Sequence, residues 1–316
     1  SKSGNTPGAV YLAGSLMQQK RISDSMNCSS VVQPPEYDDA YEYDEFAYVL
    51  KLSAVDGSCL WVRVSSNATI TAMSSDDENL YVAGSTHHEA RFYQAPTSFK
   101  YFSQNLTLGN VNDCYYMTVN ASTGEYKRGV SVYGEYQYSP TSLVASHTED
   151  RLLMSVNILN SLKAFYPRMD NVLIFDLKKT PKVGESAINW IRSALSTNIS
   201  IFTTSDWGVG GISVDLLSDG SSYLASTCLE TFTFNRERRF CNSGSGLLLV
   251  KYDKEGTLVD ILEVDSPYGV SDIGLSIGVD DFALSAGYSS GGEAVGSYDR
   301  VLSSEFSFDF LAQVVP

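Results

Sequence analysis

An acidic stretch near the start of the sequence holds the densest group of oxygen ligands in the chain. Residues 34–43 read PPEYDDAYEY, and two more acids follow directly. Carboxylates at this density can hold Ca²⁺, although their spacing is not that of an EF-hand loop. A run of charges is also typical of a solvated loop, and tyrosines between acids could be sulfated or serve as contact residues. The candidate calcium ligands are Asp38, Asp39, Glu42 and Asp44.

Groups suited to acid–base or nucleophilic catalysis are few. The histidines are His87, His88 and His147, and adjacent residues of a strand point to opposite faces, so the first two cannot chelate one ion together. All three are predicted to be surface residues. Residues 291–297 (GGEAVGS) lack the lysine of a phosphate loop, and no nucleophile elbow has a plausible partner set. We therefore predict no catalytic residue, no cofactor and no enzyme, although acids from separate repeats could converge as in glycosidases.

The cysteines indicate disulfides rather than zinc, because none of the five forms a CxxC pair. Cys228 and Cys241 flank one insertion and are predicted to bridge to each other. Cys28 and Cys114 are predicted as a second pair on the insertion side of two neighbouring repeats. Cys59 is then left single near the opposite turn. Disulfides persist in oxidising compartments, so this interpretation favours an extracytoplasmic protein.

Five Asn-x-Ser/Thr sequons point to the same compartment. Glycans are predicted near strand ends or in loops, on Asn67, Asn105, Asn120 and Asn198. Asn27 is a weaker candidate, because the middle residue of its sequon is a candidate disulfide cysteine. The chain begins at Ser1 without a basic and apolar leader, which fits either a mature secreted form or a shortened chain. The sequons and cysteines together predict a secreted or cell-surface glycoprotein.

An internal repeat must position all of these groups. Residues 10–15 read VYLAGS and residues 80–85 read LYVAGS, at a step of about 70 residues. Weaker copies occur at 152–156, 223–227 and 282–287. Each of the first four copies is followed by an alternating strand, a turn with Gly or Pro, and another strand. No segment shows a sustained helical period, so the unit is four short antiparallel strands.

A four-stranded sheet cannot bury both of its faces alone, and radial stacking of several such sheets solves that problem. We therefore predict an all-β fold, a single disc-like β-propeller domain over residues 1–316 with five blades. The predicted blades span residues 9–65, 68–133, 141–195, 209–264 and 271–316. Blade 1 is predicted to lack its innermost strand. Insertions are predicted on one face, at residues 17–45, 87–112, 159–169 and 229–245.

One stretch carries a family resemblance. Residues 46–86 contain AYVLKLSAVDGSCLWVRV, a polar turn and LYVAGST, and this segment resembles the SBBP-type β-propeller repeats of secreted bacterial proteins. The resemblance implies a propeller scaffold in an extracytoplasmic setting and implies no catalytic activity. Trp61 and Trp190 occupy equivalent strand positions and are predicted to pack between blades. Trp207 lies outside that pattern and is either a packing residue or a sugar platform.

The net charge and the lack of a catalytic motif narrow the range of functions that the sequence predicts. A net charge of −15 argues against nucleic acid and anionic membranes, and no apolar run reaches the roughly 20 residues of a membrane span. We predict a structural or adhesive protein whose partners are copies of itself or other extracellular matrix or surface proteins, assembled as a repeating subunit or filament. The alternative is a carbohydrate-binding or carbohydrate-cleaving propeller.

Overall fold

The computed structural model of the protein describes strands and turns, and no helix, within part of the chain. The described residues are 8–16, 28, 31–32, 46–76, 78–95, 98–102, 113–132, 137–159, 172–182, 185–193, 213–234, 237–265, 273–277, 282–287 and 309–314. They form repeated, predominantly antiparallel sheets, as the blades of a β-propeller do. The predicted all-β fold is confirmed. The chain divides into two compact units, Ser1–Pro140 and Thr141–Pro316.

The first unit contains blades 1 and 2 within one sheet, in the order β1-β3-β4-β6-β8-β9. Its strands are β1 (Ala9–Leu16), β2 (Val31–Val32), β3 (Phe46–Ser53), β4 (Cys59–Ala68), β5 (Ala72–Ser75), β6 (Asn79–Ala95), β7 (Ser98–Phe102), β8 (Asp113–Asn120) and β9 (Tyr126–Val132). The two blades become continuous because the outer end of β4 pairs with β6, for example Ser65 with Phe92. Both blades therefore belong to one hydrogen-bonded sheet.

Blades 3, 4 and 5 are separate antiparallel sheets. Their strands are β10 (Gln137–Ala145), β11 (Leu152–Leu159), β12 (Val172–Leu177), β13 (Ile188–Ser193), β14 (Ser213–Leu216), β15 (Ser222–Phe234), β16 (Glu237–Tyr252), β17 (Leu258–Asp265), β18 (Ile273–Ile277), β19 (Phe282–Gly287) and β20 (Asp309–Val314). Blades 3 and 4 have four strands each, and blade 5 has three in the described chain.

Blade 1 is incomplete within the described residues. In blades 2 to 5 a first strand (β5, β10, β14 or β18) pairs with the strand of the VAGS-like repeat. In blade 1 that repeat strand is β1, which pairs with β3 on one side and lies at the end of the strand order. No described strand pairs with its other edge, as the sequence predicted.

Three of the predicted insertions contribute regular structure. β6 runs past the repeat and pairs with β7, for example Arg91 with Tyr101. β15 and β16 extend as a hairpin in the same way, for example Thr231 with Phe240. The insertion at 17–45 contributes β2, which lies parallel to β4. Long hairpins satisfy their own backbone hydrogen bonds, which explains how such insertions extend beyond a blade without losing those bonds.

The core lies between neighbouring blades within each unit, because side chains of a strand alternate between the two sheet faces. In the first unit, Val49 and Trp61 of blade 1 pack with Leu80, Val82 and Met117 of blade 2. In the second unit, a matching cluster joins blades 3 and 4 through Leu153, Ile174, Val214, Leu224 and Val250. Each blade thus buries a face that it could not cover by itself.

Candidate functional site

The most elaborate polar and aromatic contacts in the described chain lie at the joints between blades. At the first joint, Trp61 of β4 is 3% exposed and its indole lies under the turn at Gly124 of blade 2. Gly124 has a φ of +72°, and a Cβ added there would be 2.8 Å from Trp61 Cδ2 and Cε3. Glycine is required at this position twice over, by the backbone angle and by the indole.

Arg63, two residues after Trp61 on the same sheet face, completes the first joint. Its Nε donates to the Gly124 carbonyl at 3.1 Å, a second N–H donates to the Thr123 carbonyl, and a third donates to the Val62 carbonyl at 2.8 Å. The guanidinium also lies over the Trp61 ring, with 5.5 Å between Cζ and the ring centroid. Burial lowers the pKa of Arg63, so this charge depends on its carbonyl partners.

The same constellation recurs between blades 3 and 4. Trp190 lies under the turn at Gly256, where φ is +77° and an added Cβ would be 2.8 Å from the indole. Arg192 Nε donates to the Gly256 carbonyl at 3.0 Å, and another N–H donates to the Glu255 carbonyl at 3.2 Å. The cation–π contact is repeated too, with 5.5 Å between Arg192 Cζ and the centroid of the Trp190 ring. A strand with Trp-x-Arg that contacts a glycine turn of the next blade is therefore a recurring element of this fold.

A buried ion pair reinforces the second joint. Arg151 donates from Nε to the carboxylate of Asp176 and from a terminal nitrogen to the Gly220 carbonyl of blade 4. Asn189 Nδ2 donates to the same carboxylate at 2.6 Å. Burial raises the pKa of Asp176, and the hydrogen bond from Asn189 and the charge of Arg151 oppose that rise. The pair links the second strand of blade 3 to the first turn of blade 4.

Chemically, these joints hold sheets together. At both joints the guanidinium groups are directed at backbone carbonyls of the neighbouring blade, and each indole covers a turn. Trp190 Nε1 also donates to the Lys254 carbonyl at 3.3 Å, whereas the buried Trp61 Nε1 has no acceptor among the described residues. The prediction that Trp61 and Trp190 pack between blades is confirmed.

The cysteine pairing predicted from the sequence is wrong for Cys28. The structure joins Cys28 to Cys59, with 4.5 Å between their Cα atoms, and Cys114 is a buried thiol on β8. The reason is the course of the 17–45 insertion: β2 runs beside β4, with Val31 opposite Val62, so the segment before β2 reaches the start of β4. Cys59 is therefore not single.

The other predicted pair keeps its status as a prediction. The backbones of Cys228 and Cys241 lie in β15 and β16, but their side chains lie outside the described part of the structure. In the ladder, Cys228 is opposite Gly246 and Phe240 is opposite Thr231, with an irregularity between them.

Asn120 is the sequon residue whose side chain the structure describes. It ends β8, and its Oδ1 accepts hydrogen bonds from the amides of Ser122 and Thr123 at 2.8 and 3.0 Å. The hydroxyl residue of the sequon, Ser122, is exposed. The backbone of Asn67 lies in β4, and its side chain is outside the described part, as are Asn27, Asn105 and Asn198.

The remaining candidate ligands are distributed as follows. The calcium candidates Asp38, Asp39, Glu42 and Asp44 lie outside the described residues, as do Trp207 and the GGEAVGS segment. His147 is exposed, and the backbones of His87 and His88 lie in β6. Within the described residues, no group of three His, Cys, Asp or Glu residues is placed to hold a metal ion. In that same part of the chain, no helix is long and apolar enough to cross a membrane.

Both tryptophans were predicted as packing residues from the sequence, whereas the arginines beside them were not. The signal was present, because LWVRV and NWIRS share both residues at the same spacing in equivalent strands. Their partners could not be recognised locally, since Arg63 reaches Gly124 across 61 residues of sequence.

Comparison with known proteins finds similarity to solved structures. No protein-family model matches the chain, and no curated protein matches it. Among solved structures, the chain is similar to the WD40 domain of coronin from Toxoplasma gondii, with 10% identity and a TM-score of 0.37. That similarity covers 85% of this chain and 76% of the coronin chain.

Proposed function

We propose that this chain is a secreted, glycosylated β-propeller protein with a structural or adhesive role, acting as a repeating subunit of an extracellular assembly. The observation that carries the proposal is the Cys28–Cys59 disulfide, which ties the 17–45 insertion to blade 1. Structural disulfides persist in oxidising compartments and are rare in the cytosol. The five sequons and the SBBP-type resemblance of residues 46–86 support the same setting.

The interblade joints support a structural role over a carbohydrate-directed one. Two of the three tryptophans, Trp61 and Trp190, lie against glycine turns of the neighbouring blade. The guanidinium groups of Arg63 and Arg192 are likewise directed at carbonyls of the neighbouring blade. The side chains of these joints therefore serve cohesion between sheets.

The edge of β1 supports assembly. An edge strand offers unpaired backbone groups, and such edges bind strands from other chains. The proposed partners are copies of this chain or other extracellular matrix or surface proteins. A contact between two different patches that does not close into a ring produces a filament, which is the form of assembly we propose.

Expression behind a signal peptide in a eukaryotic secretory cell line tests the compartment. We expect the folded chain in the medium, a non-reduced peptide that joins Cys28 to Cys59, and a glycan on Asn120 that peptide N-glycosidase removes. An Asn120→Gln variant is the control, because it should lose only the glycan of that sequon. Unmodified peptides at all five sequons would contradict the proposal.

Light scattering of the secreted material tests assembly. We expect a mass that is a multiple of the 34.5 kDa chain plus its glycans. A monodisperse monomer at high concentration would contradict the proposal that the chain is a repeating subunit.

A further inference from the structure

The outer edge of β4 is covered in two halves. β4 pairs with β3 along one of its edges. On its other edge, β2 lies beside Val62 and Arg63, and β6 lies beside Ser65 and Ser66. A free strand edge presents unpaired N–H and C=O groups, which pair readily with strands of other chains. The two coverings therefore close an edge that would otherwise be available for strand pairing.

The two coverings differ in how they are held. β6 is a strand of 17 residues, and it also pairs with β5, β7 and β8. β2 has two residues, Val31 and Val32, and among the described strands it pairs with β4 alone. Its pairing is parallel, which is slightly less stable per residue than antiparallel pairing. Pairing over two residues offsets little of the conformational entropy that β2 loses when it is ordered.

A disulfide holds β2 more firmly than its pairing does. Cys28 lies three residues before β2 and is bonded to Cys59, the first residue of β4. The bridge closes a loop of 31 residues, so β2 stays beside β4 even when its hydrogen bonds open. Cys28 also packs against a buried cluster of blade 1, which consists of Phe46, Leu50, Val62 and Val64.

The bridge can be reduced from the side of Cys28. Cys28 is half-buried, whereas Cys59 is 7% exposed. A thiolate of a dithiol therefore attacks the sulfur of Cys28, the Sγ–Sγ bond breaks, and Cys59 leaves as the thiol after taking up a proton. The second thiol of the reagent then attacks the mixed disulfide and releases Cys28. The bridge gains two electrons and two protons, and the dithiol becomes a disulfide.

We propose that the Cys28–Cys59 bridge is a thiol-sensitive latch for the outer edge of β4. Its reduction by a dithiol releases β2 and opens the half of the edge beside Val62 and Arg63. The half beside Ser65 and Ser66 stays closed, because β6 is held by ladders of its own. An oxidising compartment thus keeps the whole edge closed, and a reducing one opens half of it. This response goes beyond the proposed secretion, glycosylation and assembly, because it needs neither a glycan nor a second chain.

Hydrogen–deuterium exchange of the folded chain, before and after addition of dithiothreitol, tests the latch. Electron-transfer fragmentation resolves single amides, and alternate amides of β4 point away from β3. Those between Trp61 and Val64 lie on the side of β2, and those between Ser65 and Ala68 lie on the side of β6. On reduction we expect the first set to lose at least about tenfold more protection than the second set, because β2 opens locally. A general loss of stability lowers the protection of both sets alike, so the ratio reports the release of β2.

Two double variants serve as controls. Cys228→Ser with Cys241→Ser removes the other candidate bridge and should show the same ratio. Cys28→Ser with Cys59→Ser should show the open pattern with and without dithiothreitol. Oxidised dithiothreitol should restore the closed pattern of the unmodified chain, which would show that the reduced chain remains folded. Because reduction is carried out on the folded chain, the test does not depend on the folding of the serine variant.

Either of two results would overturn the proposal. One is an equal change, or no change, in the protection of the two sets of β4 amides on reduction. The other is full protection beside β2 in the folded Cys28→Ser, Cys59→Ser variant, since pairing alone would then hold β2. Missing glycans or a monomeric chain would contradict the proposed function and leave this exchange pattern unchanged, so the two failures are distinguishable.

Discussion

Adding one methyl group to three equivalent turns tests whether the joints stabilise the fold. Gly57, Gly124 and Gly256 share a left-handed backbone, with φ values of 71°, 72° and 77°. Substitution by alanine at any of them costs about 1–2 kcal/mol for the backbone conformation alone. Because that cost is common to all three sites, differences between the variants report what the added methyl group meets.

The surroundings of the methyl group differ sharply between these sites. At Gly124 it would lie 2.8 Å from two carbons of Trp61 and 3.0 Å from Arg63 Nε. Displacing a packed side chain costs about 1–3 kcal/mol in other protein cores. At Gly57 the methyl group meets nothing within 4 Å. Gly124→Ala should therefore lower the free energy of unfolding by about 2–5 kcal/mol, and Gly57→Ala by about 1–2 kcal/mol.

Urea denaturation followed by far-UV circular dichroism measures these differences, with the slope of each transition checked for constancy. Gly256→Ala should lie between the other two variants, because Trp190 is only half-buried and can move more easily than Trp61. Equal destabilisation by Gly57→Ala and Gly124→Ala would refute the reasoning, because it would mean that the clash with the Trp61 indole adds nothing to the loss in free energy of unfolding.

Three further predictions concern the arginines of the joints, the disulfide and a buried tyrosine. Arg63→Met should lower the free energy of unfolding by about 3 kcal/mol, because it leaves buried carbonyls without a hydrogen-bond donor. Arg192→Met should lower it by about 1 kcal/mol, because water can replace an exposed guanidinium. Calorimetry measures both losses, and equal losses would contradict this prediction. Reduction of Cys28–Cys59, which closes a loop of 31 residues, should lower the free energy of unfolding measured in urea by about 3–4 kcal/mol. A variant with Cys28→Ser and Cys59→Ser should lose this part of the response to dithiothreitol and keep any part that comes from the predicted Cys228–Cys241 bridge. Burial raises the pKa of Tyr126 to about 12, so the unfolded chain releases that proton first as pH rises above 10 and stability falls through this window. NMR of ¹³C-labelled tyrosine, assigned with Tyr126→Phe, should show no titration of this residue near pH 10.

Much of the fold was predictable because short-range sterics encode it. Side chains alternate along a strand, so AYVLKLS and its relatives predict strands wherever they occur. Glycine after a polar residue predicts a turn, and Gly57, Gly124 and Gly256 all adopt the positive φ that such turns require. The repeat of these local signals predicted the blades and the missing first strand of blade 1.

The candidate site depended on contacts between blades, which local patterns do not encode. Which carbonyl Arg63 reaches is decided by how blade 2 stacks on blade 1, and the two residues are 61 positions apart. The disulfide also depended on tertiary structure. The path of β2 along β4, and not the spacing of the cysteines, brought Cys28 to Cys59.

Val10 and Leu80 show most simply what the sequence determines and what the tertiary structure determines. Both begin the same hexapeptide pattern, and from the sequence alone both are strand residues with an apolar side chain. One is 45% exposed and the other is fully buried, because a blade packs on the second and none of the described residues covers the first to that extent. The sequence by itself determined the strand, the turn and the repeat, since these follow from backbone sterics and alternation. Only the tertiary structure decided which sheet faces are joined, because burial of a side chain depends on which other part of the chain packs against it.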